Sequence, residues 1–353
     1  SLFLVTFNTR LGSVDAVIMY QTAESLAERG SFAIEHPLGT LGRDGRRYSK
    51  YGPLQPILAV PLYAAGAALS RVGPLRPQER HLKRAAVSLF NPLVTAILAA
   101  ATFGLALRLG LSRRRALAAA LLLAFGTPVW YYSKTFFSEP LTSLLLVLAF
   151  SQAADFRRDG RLRHLPLSGL CAGLAAATRP FALVAAPVLL LYLLPSERRR
   201  WAPAALRCCI PMAVVGALLA ALNVARFGSP TEFGYGSEAF STPLWVGLAG
   251  LLASPRCGLL FYSPALLLAA PGLRALARGQ RREAWGIGAL AAVWTLVIST
   301  WSCWWAGGSW GPRLLVPLFP FLAAASVAAL PPVGRVSRGF LAVAALLAAA
   351  NVG

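Results

Sequence analysis

A polar stretch, residues 9–53, decides how this chain is organised. It reads DAVIMYQTAESLAER at residues 15–29 and closes with YSKYGP at residues 48–53. A short hydrophobic opening precedes it and a long, mostly apolar remainder follows, in which charge is confined to short clusters. Ionisable groups are costly beside apolar spans and usually mark functional positions. We therefore expect helices to hold this stretch at a membrane surface, and we expect the chemistry of the protein there.

The composition of the chain indicates a membrane protein. It is 57% hydrophobic and 13% charged, whereas soluble domains are about 25% charged. Its 34 basic and 13 acidic residues give a formal net charge of +21. The arginines lie in short clusters between apolar runs and do not form a stripe with base-stacking aromatics. The sequence therefore predicts an all-α polytopic membrane protein with membrane lipids as partners, and it excludes nucleic acid as a partner.

The arginine clusters predict the topology because cytoplasmic loops collect Lys and Arg. If the proline-broken segment 54–73 lies along the outer surface, the tight clusters all fall on the inner side. We therefore predict a first outer loop, residues 9–84, with juxtamembrane helices, and we accept a basic outer patch at residues 71–84. The bundle is expected to contain about ten transmembrane helices. The first ends near Asn8, the next are 85–109, 116–132, 140–154, 202–225, 258–270, 283–302 and 314–330, and a last one starts at Phe340.

Residues 165–194 do not fit the length of a span. The segment is too long for one span of ~20 residues and too short for two, and both ends lie beside basic clusters. Pro180 interrupts any helix that reaches it. The segment therefore predicts a hairpin of two short helices whose tip carries Arg179 partway into the membrane. A lone guanidinium there costs about 3 kcal/mol or more, so Arg179 is expected to pair either with an acidic side chain or with a phosphate.

Most acidic residues fall on the predicted outer side, away from the arginine clusters. Asp15 opens the first helix of the outer loop and is either its N-cap or a catalytic acid. Glu139 precedes Pro140 between two spans and either caps the following helix or belongs to the site. Glu24 and Glu28 are four residues apart on one helix and are interpreted as a solvated face.

Later outer loops add aromatic residues, glycines and cysteines. Tryptophans in residues 301–313 are typical either of a membrane-surface belt or of a platform on which sugar rings stack. The five cysteines show no metal-ligand spacing. Cys257 and Cys303 lie near the outer face and either pair or stay free, and the other three are expected to be buried. The chain opens and stops inside apolar runs, which suggests a fragment truncated at both ends.

The order of these motifs resembles the bacterial GT-C glycosyltransferases, and within them the dolichyl-phosphate-mannose protein mannosyltransferase-like group, glycosyltransferase family 39. Each motif is short, but the resemblance covers nearly the whole chain. It implies a single transmembrane GT-C domain over residues 1–353. After the early Asp15, the motifs are AESLAERG at residues 23–30, YSKYGP at 48–53, FSEP at 137–140, TRP at 178–180 and GPR at 311–313.

The resemblance implies a membrane glycosyltransferase. It would move a hexose or pentose from a polyprenyl-phosphate donor to a hydroxyl of a lipid, glycan or protein acceptor on the non-cytoplasmic face. Asp15 would be the general base for an inverting attack at the anomeric carbon, and Glu139 would be the second acidic position. Cations would stabilise the leaving phosphate. The implied substrate-binding residues are Tyr48, Lys50, Tyr51, Lys134, Arg179, Arg256, Trp305 and Arg313.

Relatives that hold a divalent ion carry a paired acidic motif, which Glu139-Pro140 lacks. The sequence therefore predicts no metal and no other cofactor. The expected location is the inner (plasma) membrane, with the active site facing the periplasm or the exterior. The alternative class is a polytopic transporter or flippase of lipid-linked sugars. Transporters typically show inverted repeats and a site at the bilayer midplane, whereas here no repeat is visible and the acids gather at one surface.

Overall fold

The computed structural model describes residues 2–4, 11–194 and 197–330, and in it the predicted first outer loop contains helix α1, Val14–Arg29. The Ser13 side chain accepts a hydrogen bond of 3.2 Å from the Ala16 amide, and Gly30 ends the helix with a φ of 62°. Ser13 is therefore the N-cap. Asp15 is not a cap, and its carboxylate is free to contact other elements.

A small antiparallel sheet follows α1. Its strands are β1 (Ala33–Ile34), β2 (Thr40–Leu41) and β3 (Arg47–Tyr48), in the spatial order β1-β3-β2. These six positions are the β structure of the part of the chain that is described. Thr40 Oγ1 donates a hydrogen bond of 2.7 Å to the carbonyl of Gly234, so the sheet is attached to a loop far along the chain.

Three helices carry the chain from the outer loop into the bundle. They are α2 (Leu54–Ser70), α3 (Glu79–Ser88) and α4 (Phe90–Arg108), with a 3-10 helix, Gly73–Gln78, between α2 and α3. Helices α2 and α3 pack closely at Gly66, where a Cβ atom would meet the Leu82 carbonyl at 2.8 Å. The stretch from Gly73 to Arg108 is long and apolar enough to cross a membrane.

Helix α7, Glu139–Asp159, is the central element of the bundle. It follows α5 (Arg113–Phe125) and the short α6 (Val129–Ser133), which together occupy the predicted span 116–132. Most α7 side chains are buried, including Glu139 at its first position. At 1.5 Å per residue the helix is about 30 Å long. Residues at its N-terminal end are therefore separated by that distance from residues at its C-terminal end.

Residues 164–193 fold back on themselves beside α7. Helix α8 (His164–Thr178) is followed by a 3-10 helix, Pro180–Val184, and by α9 (Ala185–Leu193). Arg157, near the end of α7, donates hydrogen bonds of 3.3 and 3.2 Å to the carbonyls of Tyr192 and Leu194. Both ends of the segment therefore lie beside the C-terminal end of α7. Its tip lies level with the N-terminal end of α7, where Arg179 contacts Glu139, and not partway along that helix.

The remaining helices complete an all-α bundle. Residues 258–270, predicted as one span, are divided by a break at Ser263, and the helix Leu244–Ala253 was not among the predicted spans. Of the predicted first helix only residues 2–4 are described, and the predicted helix from Phe340 lies outside the described residues. The helices are α10 (Trp201–Phe227), α11 (Leu244–Ala253), α12 (Leu259–Tyr262), α13 (Ala269–Ala277), α14 (Arg281–Ser299) and α15 (Phe319–Ala328).

Two further observations bear on the sequence predictions. By length and composition, two helical stretches of the described residues are able to cross a membrane, Gly73–Arg108 and Trp201–Phe227, and the other apolar helices found are shorter. All five cysteines are free, so Cys257 and Cys303 do not form the disulfide that the sequence left open.

Candidate active site

A single guanidinium joins the two acidic residues that the sequence analysis singled out. Arg313 Nη1 donates to Asp15 Oδ2 at 2.7 Å, and Arg313 Nε donates to Glu139 Oε1 at 2.6 Å. The guanidinium also lies over the ring of Phe137, 3.8 Å from its centroid. The side chain of Arg313 is 6% exposed, that of Glu139 is 0% exposed and that of Asp15 is 21% exposed. The three groups form a largely desolvated ion-pair chain that opens to solvent at Asp15.

The backbone before Arg313 explains why its side chain takes this position. Gly311 has a φ of 65°, which favours glycine, and a Cβ atom there would meet the ring of Tyr262 at 2.9 Å. The Tyr132 hydroxyl donates a hydrogen bond of 2.6 Å to the carbonyl of Trp310. The Trp310 ring packs against Tyr131 and Tyr262. The GPR motif is therefore held from both sides, so its arginine enters the site in one direction.

Arg179 reaches the same carboxylate from the tip between α8 and α9. Its Nη1 donates to Glu139 Oε1, the oxygen that Arg313 also uses. The other oxygen, Oε2, is buried and has no hydrogen-bond partner among the described residues. Glu139 is the first residue of α7, where the positive end of the helix dipole also favours a carboxylate. Glu139 thus occupies a helix start and, at the same time, neutralises two buried arginines.

The YSKYGP motif brings Tyr51 to Asp15. Gly52 packs on the backbone of Ala177 and Thr178 at the end of α8, and a Cβ atom at this position would overlap both carbonyl oxygens. Glycine therefore lets the motif approach the Arg179 tip closely. The Tyr51 side chain lies close enough to the Asp15 carboxyl to contribute to lowering its pKa. This contact puts a polar group beside the most exposed carboxylate of the ion-pair chain.

These neighbours control the charge of Asp15. Burial by itself raises the pKa of the Asp15 carboxyl, but the Arg313 charge, the Tyr51 side chain and the more distant Arg179 charge outweigh it, so the pKa lies below its ordinary value of 3.8. Burial, followed by the charge of Asp15, raises the pKa of Tyr51. At neutral pH the site therefore holds an Asp15 carboxylate, which is able to accept a proton, and a neutral Tyr51.

Lys50 forms a second ion pair next to the first. Its ammonium pairs with Glu238 Oε1 and lies 5.5 Å from the ring centroid of Tyr235 and 5.8 Å from that of Tyr51. The indole Nε1 of Trp301 donates a hydrogen bond of 3.2 Å to Glu238 Oε2. Glu238, Tyr235 and Trp301 were not predicted as site residues. One feature of the sequence could have identified Glu238: it is an acidic residue on the predicted outer side with no arginine cluster near it.

A buried arginine at the end of α10 positions the strand that leads to Lys50. Arg226 Nη1 donates 3.1 Å to the Ser49 carbonyl and Nη2 donates 2.7 Å to Asn223 Oδ1. The sequence analysis did not single it out. A charged residue just beyond an apolar span is usually a topology signal, and its burial is visible only in three dimensions.

Two buried amides hold the FSEP loop in front of α7. Asn91 Nδ2 donates to the carbonyl of Phe137 at 2.8 Å and to that of Tyr132 at 3.3 Å. Gln55 Nε2 donates to the carbonyl of Phe136 at 2.9 Å. Helices α2 and α4 thereby fix the loop that presents Phe137 to Arg313 and Glu139 to both arginines.

Four predicted substrate-binding residues contact groups outside this ion-pair chain in the described part of the molecule. The Tyr48 hydroxyl donates 2.7 Å to Asp44 Oδ2. The Lys134 ammonium lies 5.8 Å from the ring centroid of Trp130. Arg256 Nη2 donates 3.2 Å to the Gly307 carbonyl, and the Trp305 ring packs edge-on against Trp304. The structure thus brings together Asp15, Tyr51, Glu139, Arg179 and Arg313, with Lys50 adjacent to Tyr51.

An arginine occupies the position between the two carboxylates of the site. In the described ranges no three His, Cys, Asp or Glu side chains lie close enough to hold one. The two carboxylates of the site, Asp15 and Glu139, are joined by the Arg313 guanidinium, which supplies the positive charge between them. A cation binding at that point would have to displace an arginine that is 6% exposed.

Comparison with solved structures defines the fold. The chain is similar to ArnT from Cupriavidus metallidurans bound to undecaprenyl phosphate, with a TM-score of 0.68 at 15% identity, and the match covers 98% of this chain and 60% of ArnT. It is also similar to the archaeal oligosaccharyltransferase AglB from Archaeoglobus fulgidus in complex with an inhibitory peptide and a dolichol-phosphate. That match has a TM-score of 0.64 at 13% identity and covers 98% of this chain and 51% of AglB. The chain thus spans about half to three-fifths of the length of these proteins.

The chain therefore has the all-α GT-C membrane fold, and this prediction is confirmed. Residues 81–226 match the family model described as dolichyl-phosphate-mannose-protein mannosyltransferase, the group that the resemblance named. The matched segment contains Glu139, Arg179 and Arg226. No curated protein matches the chain.

Proposed function

We propose that the protein is a membrane glycosyltransferase that transfers a sugar from a polyprenyl-phosphate donor to an acceptor hydroxyl. The observation that carries the proposal is the ion-pair chain of Asp15, Arg313, Glu139 and Arg179, which joins α1, the FSEP loop, the tip after α8 and the GPR motif. The match of residues 81–226 to the mannosyltransferase family model, together with the undecaprenyl phosphate and the dolichol-phosphate bound in the similar ArnT and AglB structures, supports the choice of donor.

In this proposal Asp15 is the general base. Its carboxylate accepts the proton of the acceptor hydroxyl while the hydroxyl oxygen attacks the anomeric carbon. The bond between that carbon and the phosphate oxygen breaks on the opposite face, so the configuration inverts. The lowered pKa of Asp15 keeps the carboxylate ionised at neutral pH, and its ion pair with Arg313 orients it.

The leaving phosphate needs positive charge, and the arginines retain donors for it. In the ion pairs of the described residues Arg313 uses Nε and Nη1, and Arg179 uses Nη1. A guanidinium has five N–H donors, so Nη2 of Arg313 and both Nε and Nη2 of Arg179 remain for phosphate oxygens. Because Glu139 holds the guanidinium groups of both arginines in place, these donors form a preorganised site for the negative charge of the leaving phosphate. Lys50 would add a further positive charge once the phosphate replaced Glu238 as its ion-pair partner.

The active site faces the non-cytoplasmic side in this proposal. Arg157 and the basic loop that follows α7 lie about 30 Å from Glu139 along that helix, and cytoplasmic loops collect basic residues. The opposite end of α7, which carries the ion-pair chain, would then face the periplasm or the exterior of a plasma membrane. The acceptor is a hydroxyl of a lipid, a glycan or a protein.

The test uses the full-length protein in membranes with a polyprenyl-phosphate hexose or pentose. Release of polyprenyl phosphate and labelling of an acceptor are measured for the wild type and Asp15→Asn. We expect the variant to lose on the order of 10²-fold or more in rate. Asp159→Asn, at the other end of α7, is the matched control and should keep the wild-type rate. Equal rates for the wild type and Asp15→Asn would remove Asp15 from the role of base, and movement of an intact donor across the bilayer would favour a transporter.

A further inference from the structure

A cavity lies at the opposite end of α1 from Asp15. Its volume is about 690 Å³, and it is lined by α1, α2, α3 and the 3-10 helix between α2 and α3. Glu28, on its wall, is thirteen residues beyond Asp15, which places it about 20 Å away along the helix axis. This cavity is therefore separate from the ion-pair chain.

The two acidic groups of this cavity, Glu28 and Glu79, share one lysine as their partner. Lys83 Nζ lies 3.0 Å from Glu28 Oε1 and 2.6 Å from Glu79 Oε1, and the Tyr63 hydroxyl donates to Glu28. Glu28, whose side chain is 43% exposed, is therefore a solvated residue that also belongs to a network between helices, and Glu24 accepts a hydrogen bond of 3.3 Å from Tyr63.

Two arginines that line the same cavity have no acidic partner among the described residues. Arg71 follows the last turn of α2, Arg76 lies in the 3-10 helix, and both line the cavity. In the part of the chain that is described, neither guanidinium has an ion pair or a hydrogen bond. They belong to the basic outer patch at residues 71–84, which the topology prediction left without an explanation. Two exposed guanidinium groups at one cavity suit a phosphate, whose oxygens match their planar donors.

Apolar surface adjoins the two arginines. Ala64, Ala67 and Ala68 line the cavity. Beside it, Leu69 is 49% exposed and Val72 is 54% exposed, and the exposed apolar surface of α2 continues to Ile57 and Leu58. A ligand that satisfies this surface has a phosphate at one end and hydrocarbon at the other.

We propose that this cavity binds an anionic phospholipid, with its phosphate between Arg71 and Arg76 and its acyl chains along α2. The charge of the cavity selects an anionic headgroup, and the exposed apolar side chains favour a lipid over a free anion. The site anchors the juxtamembrane helices to the membrane surface. It does not depend on the transferase reaction, and its test measures binding without turnover.

The experiment measures the unfolding midpoint, Tm, of the full-length protein in detergent during titration with dioleoylphosphatidylglycerol. Dioleoylphosphatidylcholine, which has the same acyl chains, and inorganic phosphate are titrated in parallel. We expect a saturable rise in Tm with the anionic lipid that neither other compound reproduces. Arg71→Gln/Arg76→Gln should raise the half-saturating concentration on the order of 10-fold or more. Arg71→Lys/Arg76→Lys keeps the charge and loses the planar donors, so its half-saturating concentration should lie between those of the wild type and the glutamine pair.

The matched control is Arg274→Gln/Arg278→Gln, two exposed arginines of α13 and its C-terminus with the same loss of charge, which should titrate as the wild type. If Arg71→Gln/Arg76→Gln fails to fold, Ala68→Phe supplies the test, since it fills the cavity without changing charge and should abolish the saturable shift. The proposal is overturned if the glutamine pair or Ala68→Phe titrates as the wild type, or if the α13 pair loses as much affinity. An equal rise in Tm with phosphatidylcholine or with inorganic phosphate would also overturn it.

Discussion

Arg226 Nη1 donates a hydrogen bond of 3.1 Å to the carbonyl oxygen of Ser49, 177 residues earlier in the chain. The arginine is 4% exposed, and its second bond, to Asn223, keeps it directed toward the outer loop. The C-terminal end of α10 is thereby attached to the backbone that carries Lys50 and Tyr51. Site geometry in this protein depends on contacts of this kind, between a helix end and a distant loop.

Removal of this contact should destabilise the protein. Arg226→Ala leaves the Ser49 carbonyl without its donor, and we expect a loss of about 2 kcal/mol in the free energy of unfolding. Transfer activity should fall as well, because Lys50 and Tyr51 lose their support. Thermal unfolding in detergent measures the first effect. Arg207→Ala, an exposed position on the same helix, is the control, and similar losses in the two variants would contradict the assignment.

Glu139→Gln removes the carboxylate shared by Arg179 and Arg313. The change leaves two guanidinium groups, 11% and 6% exposed, without their common partner. Loss of one member of a buried ion pair costs about 3 kcal/mol or more, so a large drop in Tm is expected. Glu197→Gln, where the acid is 57% exposed and pairs with Arg199, should change the Tm little. A fully stable Glu139→Gln protein would show that the buried arginines are neutralised in another way.

The lowered pKa of Asp15 determines the pH dependence that we expect. A carboxyl whose folded pKa lies below its unfolded value stabilises the fold above the unfolded pKa and loses that contribution as the pH falls through the folded pKa. The difference in Tm between the wild type and Asp15→Asn should therefore be constant at neutral pH and shrink below about pH 4. Titration of Tm against pH for both proteins measures it. A difference that grows as the solution becomes more acidic would contradict the ion pair with Arg313.

Two glycine-to-alanine substitutions should distinguish the effect of close packing on stability from the effect of helix propensity. Gly52→Ala places a methyl group against the carbonyls of Ala177 and Thr178, so we expect lower stability and lower transfer activity. Gly216→Ala lies within α10 with open space around the position, and the same substitution there should raise the free energy of unfolding by about 0.5–1 kcal/mol. Opposite signs in a thermal unfolding assay are the expected result. A neutral Gly52→Ala would show that the motif and the tip after α8 are able to separate.

Several features follow from local sequence. Composition alone predicts an all-α membrane fold, because backbone groups in lipid must be satisfied within helices. The helices Glu139–Asp159 and Trp201–Phe227 contain the predicted spans 140–154 and 202–225, because each apolar run lies within one continuous helix. Pro180 correctly marks a helix break. By contrast, the run 258–270 is apolar but divided, because Pro264 has no backbone N–H for a continuing helix and Ser263 before it has an extended φ of −155°.

The sequence identified the motifs of the site more reliably than it identified which side chains in and around each motif contact the site. Tyr48 and Lys134 lie next to site residues in the sequence, yet their hydroxyl and ammonium groups contact Asp44 and Trp130. Glu238 contacts Lys50 across 188 positions and was not recognised as its partner. Neighbours along the chain point in different directions, so proximity in sequence does not establish a shared site.

The sequence by itself determined the class of fold and the short set of ionisable residues worth attention, because isolated charges are costly in an apolar chain. Only the tertiary structure decided which of them meet. Asp15 and Arg313 are 298 residues apart and joined at 2.7 Å, and packing of helix ends around Glu139 brings them together. Hydropathy acts over one span at a time, whereas ion pairing depends on the folded arrangement of all the helices.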